Sequence, residues 1–138
     1  MELTKKLKEI NKEYNYFNVI PENIKEQKLL VSVKDCICVK NMESTAGSEI
    51  LKGYIPVFNA TVVKRLIDKR AVIIGKTSQD EFGFGSFSVN TKNIPKNPYD
   101  KLRSCGGSSG GSAGITRKLS ELKIEHVSIA ESTGGSIA

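Results

Sequence analysis

The sequence lacks any long hydrophobic run. Its longest uncharged apolar stretch is far shorter than the ~20 residues that cross a bilayer as a helix. The first ten residues, MELTKKLKEI, do not contain the apolar core of a signal peptide. We therefore expect a cytoplasmic protein that has no membrane association.

Cysteine and histidine are also scarce. The chain contains three cysteines and a single histidine, His126. Three is an odd count, and without an export signal it favours free thiols over a disulfide framework. Cys36 and Cys38 form a C-x-C pair, but a zinc site needs four ligands at suitable spacing. We expect free thiols and no metal site.

Charge of one sign is not concentrated in any part of the chain. The 138 residues carry 21 Lys+Arg against 15 Asp+Glu, a formal net charge of +6, which is compatible with an acidic partner such as tRNA. The first 28 residues, however, mix six lysines with five glutamates, as a solvated helix surface does. With 38% hydrophobic residues, the chain is long enough for one modest core and too short for two domains.

The N-terminal third predicts a helix followed by a strand. Apolar residues at three-to-four spacing predict a helix from Leu3 to about Tyr16, within an N-terminal helical segment 1–20. Residues 29–33 (LLVSV) predict a buried strand that runs into Lys34. The residues of the helical stripe are Leu3, Leu7, Ile10, Tyr14 and Phe17.

The middle of the chain predicts a second helix and strand. Asn59 stands in the N-cap position of a helix that extends to about Lys69. Residues 71–75 (AVIIG) are a short β-branched run without alternation, which indicates a strand buried on both faces. The order strand, helix, strand predicts a parallel α/β unit.

A long loop rich in glycine and asparagine follows, from Thr77 to Gly111. Its aromatic residues favour an ordered loop folded against the body, because a flexible Gly/Ser linker would not carry them. A helix from Ser112 to about Leu122 and a strand at 124–130 are predicted after it. The aromatic residues are Phe82, Phe84, Phe87 and Tyr99.

Two short patterns suggest chemistry and fail in detail. Gly75-Lys76-Thr77 resembles the end of a phosphate-binding loop, but Arg70 stands where that motif requires glycine. Gly110–Gly114 matches G-x-S-x-G around Ser112, but a nucleophile elbow needs a preceding strand and a suitably placed acid and histidine. Neither pattern is sufficient alone.

A third combination joins Lys34, at a strand end, with two separate Gly/Ser turns, 106–111 and 133–136. A serine hydroxyl becomes a nucleophile when a base removes its proton, and a buried neutral lysine can be that base. Glycines beside the serine leave backbone N–H groups free to bind an oxyanion. Each turn alone is also explained as a turn and nothing more.

Nine blocks in one order resemble the amidase signature family, and within it most closely the A subunits of glutamyl-tRNA(Gln) amidotransferases. The similarity covers most of the chain from about Leu30 onward. The blocks are Val31–Asp35, Ser44–Ser48, Asn59–Val63, Gly75–Thr77, Asp80–Phe82, Gly85–Ser86, Asn97–Asp100, Gly106–Ala113 and Thr133–Ile137.

The resemblance implies an α/β fold: the N-terminal portion of the amidase signature fold, with a mixed, largely parallel sheet, flanking helices and long Gly/Ser-rich active-site loops. It implies that Ser136 is the nucleophile, that Lys34 is the general base, and that Ser108, after a cis Gly107–Ser108 bond, relays the proton. The backbone amides of Thr133, Gly134 and Gly135 would line the oxyanion hole.

The resemblance also implies partners. Glutamine would be the amide donor, and B and C subunits would complete the amidotransferase. ATP and Mg would bind to the B subunit, which would also hold most of the tRNA, so no cofactor is expected on this chain.

Residues 1–138 correspond to an incomplete amidase domain, with 29–138 as the N-terminal part of its catalytic core. We therefore expect no amidase activity from this chain alone. The alternatives are half of a split amidase completed by a separate polypeptide, a fragment of another amidase-family hydrolase, an inactive truncated relict, or a non-catalytic binding module. Departures from the family pattern include Cys36 in place of asparagine and Ser132 in place of aspartate.

Overall fold

The computed structural model describes residues 2–25, 29–132 and 134–136. No helix within these ranges is long and apolar enough to cross a membrane. Cys36, Cys38 and Cys105 are free thiols. The helices are α1 (Glu2–Tyr14), α2 (Thr61–Asp68) and α3 (Gly110–Glu121), with short 3-10 helices at Glu49–Leu51 and Glu81–Gly83; the strands are β1 (Phe17–Val19), β2 (Leu30–Lys34), β3 (Val72–Thr77) and β4 (His126–Ile129).

The four strands form one mixed sheet in the order β1-β3-β2-β4. β2 lies between β3 and β4 and runs parallel to both, while β1 pairs antiparallel with β3 at the edge. The parallel unit predicted from strand, helix, strand is confirmed. The mixed, largely parallel α/β fold expected from the sequence is also confirmed.

The core lies on both faces of the sheet. Side chains alternate along a strand, so β2 directs Leu30 into one cluster and Val31 and Val33 into the other. The first cluster packs residues of α1 and α3 against the sheet, including Leu7 and Leu119. The second joins Val63 of α2 to the opposite face.

The N-terminal helix is shorter than predicted. It ends at Tyr14, because Asn15 adopts a left-handed backbone with φ of 62°. The Asn11 side chain then accepts from Phe17 N at 2.6 Å and donates to Phe17 O at 3.0 Å, which directs the chain into β1. The segment 1–20 is therefore a helix and a strand, and Phe17 belongs to the sheet.

The predicted cap of the second helix is wrong. Ala60 is the N-cap of α2 and makes no side-chain capping bond. Asn59 instead accepts from the backbone N of Lys40 at 2.7 Å. The helix itself and the strand after it are confirmed, with ends at Asp68 and Thr77.

The loop between β3 and α3 is ordered, but its aromatic residues do not hold it. Phe84, Phe87 and Tyr99 are exposed. Asp80, which is fully buried, holds the loop instead: its carboxylate accepts from the backbone N of Ser88 at 2.8 Å and of Asn90 at 2.9 Å. Short polar contacts to the backbone thus fix a segment that has little apolar burial of its own.

The last two predicted elements form with shifted ends. α3 begins at Gly110, two residues before the predicted start at Ser112, and β4 covers the middle of the predicted strand 124–130.

Candidate active site

The candidate site lies where the carboxyl ends of β2 and β4 meet. Lys34 is the last residue of β2, and Glu131 follows β4 by two residues. Because parallel neighbouring strands end at the same edge of a sheet, this edge collects side chains that are distant in sequence. The loop before α3 adds Ser108 to the same place.

The Ser108 loop is held close to the body. The Gly107–Ser108 peptide bond is cis, as the family resemblance implies. The carbonyl of Ser108 accepts from Asp80 N at 3.2 Å, and Gly111 N donates to Ser78 O at 3.1 Å. A Cβ at Gly107 would lie 2.3 Å from Asp80 Oδ2, so the close approach requires glycine.

Lys34 is fully buried, and its side-chain nitrogen has three acceptors. Nζ lies 2.8 Å from Ser108 Oγ, 3.0 Å from the Glu131 carbonyl oxygen and 2.7 Å from Glu131 Oε1. An ammonium group carries three N–H donors, so the three acceptors match the donors in number. Lys34 Nζ is thus fully paired within the described contacts.

Ser136 lies in the same cluster but does not contact Ser108. Its hydroxyl donates to the Glu131 carbonyl at 3.0 Å and lies 3.3 Å from Ser109 Oγ. Ser109 Oγ also reaches the Glu131 carbonyl, at 3.4 Å. Among the described contacts, the hydroxyl group next to Ser136 is thus Ser109 and not Ser108.

The amides beside Ser136 already have a partner. Ser132 Oγ accepts from the backbone N of Gly135 at 3.0 Å and of Ser136 at 2.9 Å. Ser132 and Gly135 are exposed, so this small loop faces solvent. Of the three residues predicted to line the oxyanion hole, Gly134 and Gly135 are described, and Thr133 lies outside the described residues.

Cys36 reaches the site from the segment that follows β2. Its Sγ donates to Glu131 Oε1 at 3.6 Å, the same oxygen that pairs with Lys34. Burial raises the pKa of Cys36 to about 11, and the negative charge of Glu131 adds to the rise. The thiol therefore stays protonated at neutral pH and is a weak nucleophile.

A second buried lysine lies nearby with a similar set of neighbours. Lys76 Nζ lies 3.4 Å from Asp35 Oδ1, 3.0 Å from the Asp35 carbonyl oxygen and in close contact with Ser44 Oγ. Both Lys76 and Asp35 are fully buried. Burial lowers the pKa of Lys76, and the Asp35 charge opposes that change.

An open cleft of about 760 Å³ lies beside β4 and α3, and Ser109, Ser136 and His126 are among the residues that line it. His126 Nε2 lies 3.0 Å from Ser32 Oγ, and burial lowers the pKa of His126 to about 4. Ser112 is buried and lies 2.7 Å from Thr77 Oγ1. Ser112 is thus a packing residue in the first turn of α3, and the elbow pattern around it has no exposed nucleophile.

Within the described residues, no group of three or more His, Cys, Asp or Glu side chains is placed to hold an ion.

Sequence reasoning missed Glu131 and Ser109. Ser109 is adjacent to a predicted site residue and offered no separate signal. Glu131 follows a strand that runs parallel to β2, and a residue in that position lies near Lys34. The sequence does not show that this strand is the neighbour of β2, so Glu131 could be found only once the sheet order was known.

The chain belongs to the amidase family. The family model described as Amidase matches residues 5–138. The chain is 46% identical over 110 residues to the A subunit of a chloroplastic/mitochondrial glutamyl-tRNA(Gln) amidotransferase from Sorghum bicolor, a match that covers 79% of this chain and 20% of the relative. It is 43% identical over 108 residues to the A subunit of the Trichodesmium erythraeum (strain IMS101) enzyme, covering 78% of this chain and 21% of that protein.

A solved structure shows the same fold. The crystal structure of the A subunit of glutamyl-tRNA(Gln) amidotransferase from Thermotoga maritima aligns with a TM-score of 0.77 at 34% identity, over 83% of this chain and 27% of that chain. The amidase signature fold is thereby shown for most of the chain. The chain spans about a fifth of the length of the curated relatives it matches.

Proposed function

We propose that this chain supplies the base, the relay and the nucleophile of a serine amidase that hydrolyses glutamine. Neutral Lys34 would accept the proton of Ser108, which would accept that of Ser136 as the Ser136 oxygen attacks the side-chain amide carbon. The proton would return to the leaving ammonia, and water would then hydrolyse the glutamyl ester. The observation that carries the proposal is the 2.8 Å contact between the buried Lys34 Nζ and Ser108 Oγ.

Two local movements are part of this mechanism. Ser136 Oγ must leave the Glu131 carbonyl and turn from Ser109 to Ser108. The Ser132 hydroxyl must release the amide of Gly135, so that this amide can donate to the oxyanion of the transition state together with the amides of Thr133 and Gly134. Both movements involve exposed or half-buried side chains, which the fold does not hold rigidly.

The amidotransferase role is the finer part of the proposal. Similarity to two A subunits at 46% and 43% identity supports glutamine as the amide donor. B and C subunits would be the partners, with ATP, Mg and most of the tRNA on the B subunit. Another amidase-family hydrolase is the alternative, and the cytoplasmic location stays a prediction.

Completion of the site by further amidase sequence, on this chain or on a separate polypeptide, is supported by the surfaces that the described residues leave open. β4 pairs with β2 alone among the described strands, so its outer edge has no strand partner there. The open cleft beside β4 and several exposed apolar side chains are surfaces that a larger amidase body would cover. The apolar residues that are at least four-fifths exposed are Ile50, Val57, Phe84 and Leu102.

The first test is purification of the tagged chain from its native cell under gentle conditions, with identification of bound polypeptides by mass. Recovery of a polypeptide carrying the remaining amidase fold, or of B and C subunits, is the expected result. Recovery of chaperones alone, or of insoluble chain, favours an inactive relict.

The catalytic test uses the purified assembly and measures ammonia release from glutamine. Ser136→Ala should lower the rate by at least about 1,000-fold, because the attacking oxygen is lost. Ser120→Ala, which changes an exposed serine of α3 beside the same cleft, is the control and should retain the rate. Equal rates for both variants would exclude Ser136 as the nucleophile.

A further inference from the structure

Glu131 contacts four side chains of the candidate site, those of Lys34, Cys36, Ser109 and Ser136. Its carbonyl accepts from Lys34, Ser109 and Ser136, at 3.0 Å, 3.4 Å and 3.0 Å. Its carboxylate pairs with Lys34 at 2.7 Å and accepts from Cys36 at 3.6 Å. One residue thus holds the base and lies beside the nucleophile, through two different chemical groups.

The carboxylate and the carbonyl have different consequences. The carbonyl positions donors and carries no charge. The carboxylate places a negative charge against the Lys34 nitrogen, which favours the ammonium over the neutral amine. A lysine must be neutral to accept a proton, so the ion pair opposes the role that the amidase mechanism requires.

We propose that Glu131 is a positioning residue that sets the pH range in which Lys34 can act as a base. Its carboxylate holds Lys34 as an ammonium, and Lys34 becomes a neutral base when its proton is lost to solvent past that carboxylate. This inference rests on the proposed amidase function for its consequence, but not for the ion pair itself. Lys34 has no exposed surface, whereas the Glu131 side chain is 40% exposed. Glu131 is therefore the partner that can turn into water and release the lysine.

The other charged and titratable groups around the pair do not substitute for Glu131. Among the described residues, Cys36 is the other titratable side chain that contacts the carboxylate, and it stays protonated. The charges of Asp35 and Lys76 are directed at each other and at Ser44 and Thr45. Ser108 and Ser109 are uncharged. Removal of the Glu131 charge should thus act on Lys34 directly.

The first experiment measures the rate of Ser136 labelling by a fluorophosphonate probe between pH 5 and 10, using the protein as purified from cells. Glu131→Gln keeps the size and hydrogen-bonding groups of the side chain and removes its charge. The rising limb of the labelling profile should move to lower pH, because the negative charge that favours the ammonium is gone. Labelling at a pH on that limb should then be several-fold faster than in the wild-type protein.

Glu125→Gln is the matched control. Glu125 is an exposed glutamate six residues earlier, just before β4, and its loss changes the net charge of the chain by the same amount. Its profile should coincide with that of the wild-type protein. If Glu131→Gln and Glu125→Gln give the same profile, the proposal is wrong.

A second measurement separates this proposal from the proposed function. Nitrogen NMR of the Lys34 side chain follows the loss of its proton directly and needs no catalysis. In Glu131→Gln the proton should be lost at lower pH than in the wild-type chain and in Glu125→Gln. If Lys34 loses its proton at lower pH in Glu131→Gln but Ser136 is not labelled in any variant, the amidase function is refuted and the ion-pair proposal stands. If Lys34 shows no such shift, the ion-pair proposal is overturned whether or not the protein is active. If Glu131→Gln does not fold, Glu131→Ser serves the same comparison with a smaller uncharged side chain.

Discussion

Lys34 and Lys76 are two buried lysines that contact the same kinds of group but differ in the exposure of their carboxylate partners. Each is fully buried, and each lies against a carboxylate, a backbone carbonyl and a serine hydroxyl. The difference lies in the carboxylate. Asp35 has no exposed surface and is bonded to Asn18, Thr45 and Gly47, whereas the Glu131 side chain is 40% exposed.

The comparison shows that burial of the lysine does not by itself indicate its role. Neither partner of a fully buried charge pair can move into water. The Lys76–Asp35 pair therefore joins segment 35–47 to strand β3 in the folded protein. A pair with one partner at the surface opens more easily, because hydration of that partner offsets part of the lost attraction. Reversible chemistry at Lys34 is compatible with its surroundings, and at Lys76 it is not.

The largest predicted effect is on stability. Lys76→Met should lower the free energy of unfolding by about 3 kcal/mol, because it leaves the Asp35 carboxylate buried without a counter-charge. This value lies at the low end of the usual range, since Asp35 keeps its other hydrogen bonds. Urea denaturation followed by circular dichroism measures the change.

Lys34→Met is the matched variant, and it should cost about 1 kcal/mol or less, because water can solvate the Glu131 carboxylate. Equal losses of unfolding free energy in the two methionine variants would show that both carboxylates are equally inaccessible to water. The distinction between the two pairs would then be wrong.

Much of this fold could be predicted from local sequence signals. The apolar runs at 29–33 and 71–75 mark two of the parallel strands, because buried strands are rich in apolar residues. β1 could not be found in this way. Phe17 fits the spacing of the preceding helix, and the turn depends on the left-handed Asn15 and the Asn11 side chain, which long-range packing selects.

The site was predictable in part, for a different reason. The resemblance to amidases pointed to Lys34, Ser108 and Ser136 through their motifs, and the structure brings Lys34 and Ser108 into contact. The roles of these residues stay predictions. The Glu131 carboxylate and the Ser132 hydroxyl were not predicted as contacts, because they depend on rotamers and on which strands lie side by side. Sequence motifs identify groups that carry chemistry, and they do not report how a site is held when it is at rest.

An intermediate effect should appear in acid and bears on the Glu131 test. Burial lowers the pKa of His126 to about 4 from its usual 6.5. Below pH 6.5 the unfolded chain therefore binds a proton that the folded chain does not, so stability falls as the pH drops from 6.5 to 4. The loss should be about 2 kcal/mol after allowance for partial exposure.

His126→Gln should remove this part of the pH dependence. Denaturation at pH 7 and pH 4 gives the loss for each protein, and the difference between the two losses isolates His126 from the carboxylates that titrate in the same range. Unfolding in acid would also lower the rate of Ser136 labelling. A fall in labelling is therefore attributable to Lys34 and Glu131 only at pH values where the denaturation measurements show a folded protein. Identical acid losses in the two proteins would show that His126 does not titrate with folding.

A small effect on stability gives the sharpest contrast between the two lysines. Ser44→Ala and Ser108→Ala each remove one hydroxyl acceptor from a buried lysine, and each should lower the free energy of unfolding by about 1 to 2 kcal/mol. Fluorophosphonate labelling of Ser136 should then separate them. Ser108→Ala should slow labelling by about 100-fold or more, because it interrupts the proposed proton path from Ser136 to Lys34, and Ser44→Ala should leave the rate near that of the wild type. Because the two variants are matched in stability and in the group removed, unequal labelling is attributable to the proton path. Equal labelling would mean that the contact between Lys34 and Ser108 is structural, as the contact between Lys76 and Ser44 is.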